Sequence, residues 1–152
     1  LKNIVLDYRI IVTDYINFTT SWRCYFSDSC FDFLSDTIII GKNLGFDIDF
    51  ELPTANTEIS ISDWNNFNIC TKDGKVFANV KLYKNGNRHI KFCKEFMQKL
   101  NVEMARINGW VQDKSEAIKE MDIPADVINS VWKTNLQIGI ESGKKLLGLP
   151  EA

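Results

Sequence analysis

Two lysines, a tyrosine and a histidine bracket Asn85-Gly86-Asn87, and their spacing is the first feature of the chain that suggests chemistry. Asn-Gly between two alternating runs signals a β-hairpin, with strands expected over Lys75–Lys84 and Arg88–Cys93. With Lys84 paired to Arg88 across a three-residue turn, Leu82 faces Ile90 and Val80 faces Phe92 on one apolar side. The other side then carries Tyr83 against His89 and Lys81 against Lys91. Like charges directly opposite each other on a sheet repel. Relief must come from a carboxylate strand of the same protein or from an external anion. A surface joining Lys81, Lys84, Arg88 and Lys91 to rings at Tyr83 and His89 resembles how nucleic-acid binders combine phosphate contacts with stacking.

A carboxylate strand is available. Phe46, Ile48, Phe50 and Leu52 alternate with Asp47, Asp49 and Glu51, which puts three acids on one face of a strand ending at Pro53. Beside the hairpin, that face would neutralise the lysines. Alone, it offers three carboxylates to Mg²⁺ or Mn²⁺, as in metal-dependent nucleases. The acid-x-Lys element such nucleases carry in the next strand is missing, since Glu58-Ile59-Ser60 lacks the lysine.

Other chemistry is argued against by residue type and spacing. His89 has no Ser, Cys or acid beside it in sequence and reads as a polar surface or packing residue rather than a general base. Gly139 to Gly143, followed by Lys144-Lys145, has a spacing of four where a phosphate loop needs five, with no strong strand before it. There is no Gly-x-Ser-x-Gly and no dinucleotide fingerprint. Cys24, Cys30, Cys70 and Cys93 are scattered without a C-x-x-C pair, which predicts reduced, largely buried thiols rather than zinc or a disulfide framework. No cofactor is expected, and an enzyme less so than a binding domain.

The elements that must position these residues form an α+β pattern. Ile4, Tyr8, Ile11, Tyr15 and Phe18 recur at helical spacing, and an N-terminal helix is expected over 3–18, although Ile4, Leu6, Tyr8, Ile10 and Val12 also alternate. A meandering antiparallel sheet should follow: Thr37–Ile40 closed by Gly41, then Phe46–Leu52, Ile59 with Ile61, a piece near Trp64–Cys70, and the hairpin. Past Cys93 the period changes to 3.6. Phe96, Met97, Leu100, Met104, Ile107 and Val111 mark one face of a helix over about Lys94–Trp110. Ser115–Met121 reads as a short helix capped by its Ser. Ile123-Pro124 opens another, with Val127, Ile128, Val131 and Trp132 packing inward.

At 152 residues the chain fits one domain, and at 45% hydrophobic and 12% aromatic residues it can fill a core. No apolar run is long enough to span a bilayer and no secretory leader pattern opens it, so a cytoplasmic protein is expected. It begins with Leu, as a piece of a longer chain would. Charge is polarised. Residues 1–74 hold 11 acids and 5 bases, whereas Lys75 to Lys99 holds seven bases and the single acid Glu95. Against a nucleic-acid role stands an isoelectric point near 5.4, since dedicated nucleic-acid domains lie at about 9 or above.

Two segments, Lys81-Leu-Tyr-Lys-Asn-Gly-Asn-Arg-His-Ile-Lys-Phe92 and Lys99-Leu-Asn-Val-Glu-Met-Ala-Arg-Ile-Asn-Gly-Trp110, resemble an uncharacterised bacterial domain family carried by phages and mobile elements. In that family the domain occurs alone or joined to a DNA adenine methyltransferase. The resemblance covers about a quarter of the chain and implies a DNA-related accessory role without catalytic residues. The chain lacks the Gly-rich loop and Asn/Asp-Pro-Pro-Tyr element of a methyltransferase.

The sequence therefore predicts a non-catalytic accessory domain that binds an anionic partner, DNA before others. Lys81, Lys84, Arg88 and Lys91 would meet phosphates, and Tyr83 and His89 would stack or hydrogen-bond. Its alternative is a protein-interaction module, such as a phage-type inhibitor of a host protein, whose acidic half meets a basic partner. An exposed aromatic patch at Trp22, Tyr25 and Phe26 would favour that alternative. A metal-dependent nuclease built on Asp47, Asp49 and Glu51 is the weaker third reading.

Overall fold

Alternation and helical periodicity compete at the N-terminus, and alternation wins. In the computed structural model, which describes residues 6–13, 16–18, 23–53, 57–83 and 85–133, the chain opens with strands β1 (Arg9–Val12), β2 (Ile16–Phe18) and β3 (Arg23–Phe26). Over the described part of 3–18, where a helix was expected, residues 9–12 and 16–18 are strand instead. Ile10 and Val12 turn inward as the β-branched alternation requires, while Arg9 and Ile11 face out. A buried amide ties this segment down: Asn101 accepts from the backbone N–H of Leu6 at 2.9 Å and donates to its carbonyl at 3.1 Å.

The first helix lies where a short strand was expected. Helix α1 (Asp28–Asn43) takes in Thr37–Ile40 and Gly41. Ser27 caps it by accepting from the Cys30 N–H at 3.3 Å, and Asp28 and Lys42 suit the two ends of the helix dipole. Cys30, Leu34, Thr37, Ile38 and Gly41 form its buried face. The β-branched run is tolerated because Thr37 donates to the Phe33 carbonyl at 2.7 Å and Ile38 packs, leaving Ile39 and Ile40 exposed.

Next come β4 (Ile59–Ser60), the one-turn helix α2 (Ile61–Trp64), β5 (Asn66–Cys70), β6 (Val76–Leu82) and β7 (Arg88–Phe92). Two antiparallel sheets result. One has the order β1-β7-β6-β5, the other β2-β3-β4. The Phe46–Leu52 segment keeps its alternation of exposure, but it is not a strand. Only Ile48 bridges to Thr71, at the far end of β5.

Helices α3 (Lys94–Ile107), α4 (Lys114–Glu120) and α5 (Ala125–Lys133) complete the described chain, which is α+β as the sequence predicts. The inward face of α3 is rotated from the expected one. Asn101, Val102, Glu103 and Ala105 are buried, while Met104 and Ile107 are exposed. Asp113 rather than Ser115 caps α4. The core has two parts. Phe77 packs edge to face on Phe92 and Phe96, which are tilted against each other, with Ile69, Val80 and Ile90 between the large sheet, α1 and the start of α3. Val102, Ala105, Val111, Met121, Ile128 and Val131 join the three C-terminal helices. Among the described residues, no helix is long and apolar enough to cross a membrane.

Candidate functional site

The hairpin forms as expected, but one loop residue earlier. Tyr83 donates to the Asn87 carbonyl at 2.9 Å, and Gly86 donates back to Tyr83 at 2.9 Å, so the three-residue loop is 84–86 rather than 85–87. The reason is Gly86, whose φ of +84° fits the last, left-handed position of a three-residue hairpin loop. Moving the loop by one residue slides the pairing by two, which keeps each side chain on its expected face and changes every partner. Leu82 now pairs with Arg88, Val80 with Ile90, Lys81 with His89 and Asn79 with Lys91.

The outer face of the four-stranded sheet therefore reads as two cross-strand rows. The first runs Arg9, Lys91, Asn79, Asn68, and the second runs Ile11, His89, Lys81, Asn66. The Lys81–Lys91 juxtaposition expected from sequence is relieved by the register, and Arg9–Lys91 replaces it as the like-charged pair. No Asp or Glu occupies either row. Among the described residues no ion pair reaches Arg9, Lys81 or Lys91.

Rings and amides complete the surface. The Tyr83 and His89 rings lie 4.5 Å apart at 45°, and the Lys91 ammonium sits 5.4 Å from the centre of the Tyr8 ring. Asn79 Nδ2 donates to the side-chain oxygens of Asn66 at 3.0 Å and Asn68 at 2.8 Å. With the Phe67 carbonyl also at 3.4 Å, both of its protons are used against β5, while Asn66 and Asn68 keep donors of their own. Arg9, Asn66, Asn68, Lys81, Tyr83 and Lys91 are exposed and His89 is half-buried.

Not all of the sequence-selected cations belong here. Arg88 is fully buried on the inner face, where its Nη1 donates to Cys30 Sγ and its guanidinium lies 5.0 Å from the Phe26 ring centre. It is a core residue and not a phosphate contact. Parity could have shown this, since Arg88 shares the apolar side with Ile90 and Phe92 in either register. Lys84 lies outside the described residues, as do Trp22, Gly139, Gly143, Lys144 and Lys145. What the sequence missed are Arg9 and Tyr8, hidden in the expected helix, and the Asn66-Phe67-Asn68 alternation.

The acids expected to answer the lysines are elsewhere. Asp47 pairs with Lys72 at 3.0 Å, beside the Cys70–Thr71 end of β5. Among the described residues, no group of three or more His, Cys, Asp or Glu side chains is arranged to hold a metal ion. Burial pushes the Cys30 thiol up to about 11 against the pull of Arg88, and raises Cys24 and Cys93 as well, so none of the three is an activated nucleophile. Phe26 is buried against Trp64 and Arg88, and Tyr25 is half-buried, so these two do not form an exposed aromatic patch.

A groove of about 620 Å³ lies between Gly45–Asp47, Thr71–Phe77 and the start of α3. Its charges answer one another. Lys75 holds the Asp73 carboxylate at 2.6 Å, with Thr71 adding a second hydrogen bond, and together they lower the carboxyl to about 2. The groove therefore offers no unanswered charge, whereas the sheet face does. In comparisons with protein-family models, curated proteins and solved structures, nothing matches the chain.

Proposed function

We propose that the chain is a non-catalytic accessory domain that binds DNA through the outer face of the β1-β7-β6-β5 sheet, in the phage or mobile-element setting that the resemblance of residues 81–92 and 99–110 implies. One observation carries the reading: Arg9, Lys81 and Lys91 share a face whose strand positions hold no acid, with Arg9 directly across from Lys91. Such repulsion is tolerated at a surface and is relieved by a polyanion, which releases counterions when it binds. The net charge of −2 does not oppose this, because neither strand row of the face holds an acid and charge acts over about a Debye length of 8–10 Å. Lys81 and Lys91 contact phosphates and Tyr83 and His89 supply rings, as expected from sequence. Arg9 takes the place of Arg88.

The test is a salt titration of binding to labelled DNA, comparing wild type with Lys81→Glu/Lys91→Glu. Binding that weakens steeply with salt and is lost in the double variant supports the reading. Absence of binding at low salt overturns it.

The protein-interaction reading keeps one observation in its favour. Asp28, Asp32, Asp36 and Ile40 follow at helical spacing of four along α1 and are all exposed, a stripe suited to a basic partner. Charge reversal at Asp32 and Asp36, read in a pull-down, tests it.

A further inference from the structure

The shape of the face separates two kinds of polynucleotide. Four strands spaced about 4.8 Å apart make a platform roughly 14 Å across before its side chains are added. The major groove of B-DNA is about 12 Å wide and admits an α-helix or a two-stranded ribbon, so this sheet face cannot enter it. Against the outside of a duplex it would meet phosphates only, leaving its rings and carboxamides unused.

A single strand uses all of them. Tyr83 is exposed and its ring is braced at 4.5 Å by His89, which is itself half-buried, so the ring is held at the edge of the row rather than free to collapse. The three carboxamides of Asn66, Asn68 and Asn79 are joined to one another at the β6–β5 edge of the platform, where Asn66 and Asn68 keep their own donors. Donors of that kind pair with the edges of unstacked bases, which a duplex conceals. The cations lie to one side of this edge, with Arg9 and Lys91 at the other end of the first row and Lys81 next to Asn66 in the second.

We infer that the occupant of the sheet face is a single polynucleotide strand, its bases stacked on Tyr83 and set against the Asn66-Asn68-Asn79 amides while Arg9, Lys81 and Lys91 hold its phosphates. This rests on the proposed nucleic-acid reading and narrows it. DNA and RNA strands share the groups involved.

Fluorescence anisotropy with the whole chain tests it, using oligo-dT, oligo-U, a duplex and an abasic DNA strand, each of roughly 12 nucleotides, within the ~4–16 that single-strand binders cover. The expected result is binding of oligo-dT or oligo-U at least about tenfold tighter than of the duplex or the abasic strand. Tyr83→Ala should lose roughly tenfold on the base-bearing strand and nothing on the abasic one, while Tyr83→Phe binds like wild type. Which of oligo-dT and oligo-U binds tighter identifies the natural strand, and either result supports the inference. Equal binding of all four probes, with Tyr83→Ala neutral and Lys91→Glu defective, overturns the single-strand inference and leaves the phosphate-binding reading standing. No binding by any probe at low salt overturns both.

Discussion

The guanidinium of Arg88 lies inside the protein, donating to Cys30 Sγ and facing the Phe26 ring at 5.0 Å, so strand β7 anchors to the α1–β3 side of the core through a cation. A buried arginine fills volume and carries several donors, so truncating it leaves both a cavity and polar groups without their partner. Arg88→Ala should lower the unfolding free energy by about 3 kcal/mol or more in urea denaturation. Arg88→Lys should also destabilise, because an ammonium cannot reproduce the planar fork. DNA affinity of the remaining folded protein should change less than about twofold. A stable Arg88→Ala protein that had lost binding would return Arg88 to the surface role its sequence position suggests.

Gly41 reverses a familiar substitution rule. In an ordinary helix interior Gly→Ala stabilises by about 1 kcal/mol. Here a Cβ would stand 2.6 Å from Ile48 Cδ1 and 2.8 Å from Phe77 Cζ, both on buried side chains. Overpacking of this kind costs about 1–3 kcal/mol, so Gly41→Ala should destabilise. Ile48→Val removes the Cδ1 atom, and Gly41→Ala/Ile48→Val should recover part of the loss relative to the sum of the single variants. Thermal or urea unfolding of the four proteins decides it; a stabilised Gly41→Ala removes the proposed close approach.

Cys30 gives the fold a specific weakness in alkali. Burial raises its thiol to about 11, whereas the unfolded thiol titrates at its ordinary value of 9.0. Below pH 9 both states hold the proton and the full stability is present. Between about 9 and 11 only the unfolded state releases it, so stability falls with rising pH through that window. One pKa unit corresponds to ~1.4 kcal/mol, which puts the loss from this thiol at roughly 2 kcal/mol by pH ~10.5. Urea unfolding at pH ~8 and ~10.5 should show a drop shallower by that amount in Cys30→Ala than in wild type. Equal drops in the two proteins would place the titration elsewhere.

How far the sequence carried these assignments depended on whether local pattern or tertiary packing decided the element. The Asn-Gly hairpin and the C-terminal helices were legible because turn chemistry and a 3.6 period act locally. At Leu6–Val12 both periods were present, and only the pairing of Arg9–Val12 with β7 selects the strand. At Thr37–Ile40 the β-branched run pointed to a strand, and the Ser27 cap together with burial of Leu34, Ile38 and Gly41 made a helix instead. The candidate face was half legible. Lys81, Tyr83, His89 and Lys91 followed from parity, which survives the register slide. Arg9 arrives from a strand distant in sequence, and its presence beside the hairpin is a property of sheet order that no local pattern encodes, whereas Asn66 and Asn68 come from β5, the strand that precedes and pairs with β6.

The Arg9–Lys91 pair should affect folding and binding in opposite directions. The two stand directly across β1 and β7 with no acid in their row, and like charges so placed destabilise a sheet by about 0.2–1 kcal/mol. Neutralising either residue as Arg9→Gln or Lys91→Gln should therefore raise the unfolding free energy by a few tenths of a kcal/mol, measured at low salt, where screening is weakest. Each variant should bind DNA more weakly, and the slope of log K against log salt should fall by about 0.7–0.9 for the phosphate contact removed. In the double-mutant cycle the stability gains should be less than additive, because removing one charge already ends the repulsion. A fold holding two cations against each other is less stable than one neutralised residue would make it, a cost that the proposed phosphate contact would explain. Gains in stability with no change in binding or salt slope would show the repulsion to be incidental to function. Losses in stability would show that the pair is answered within the protein.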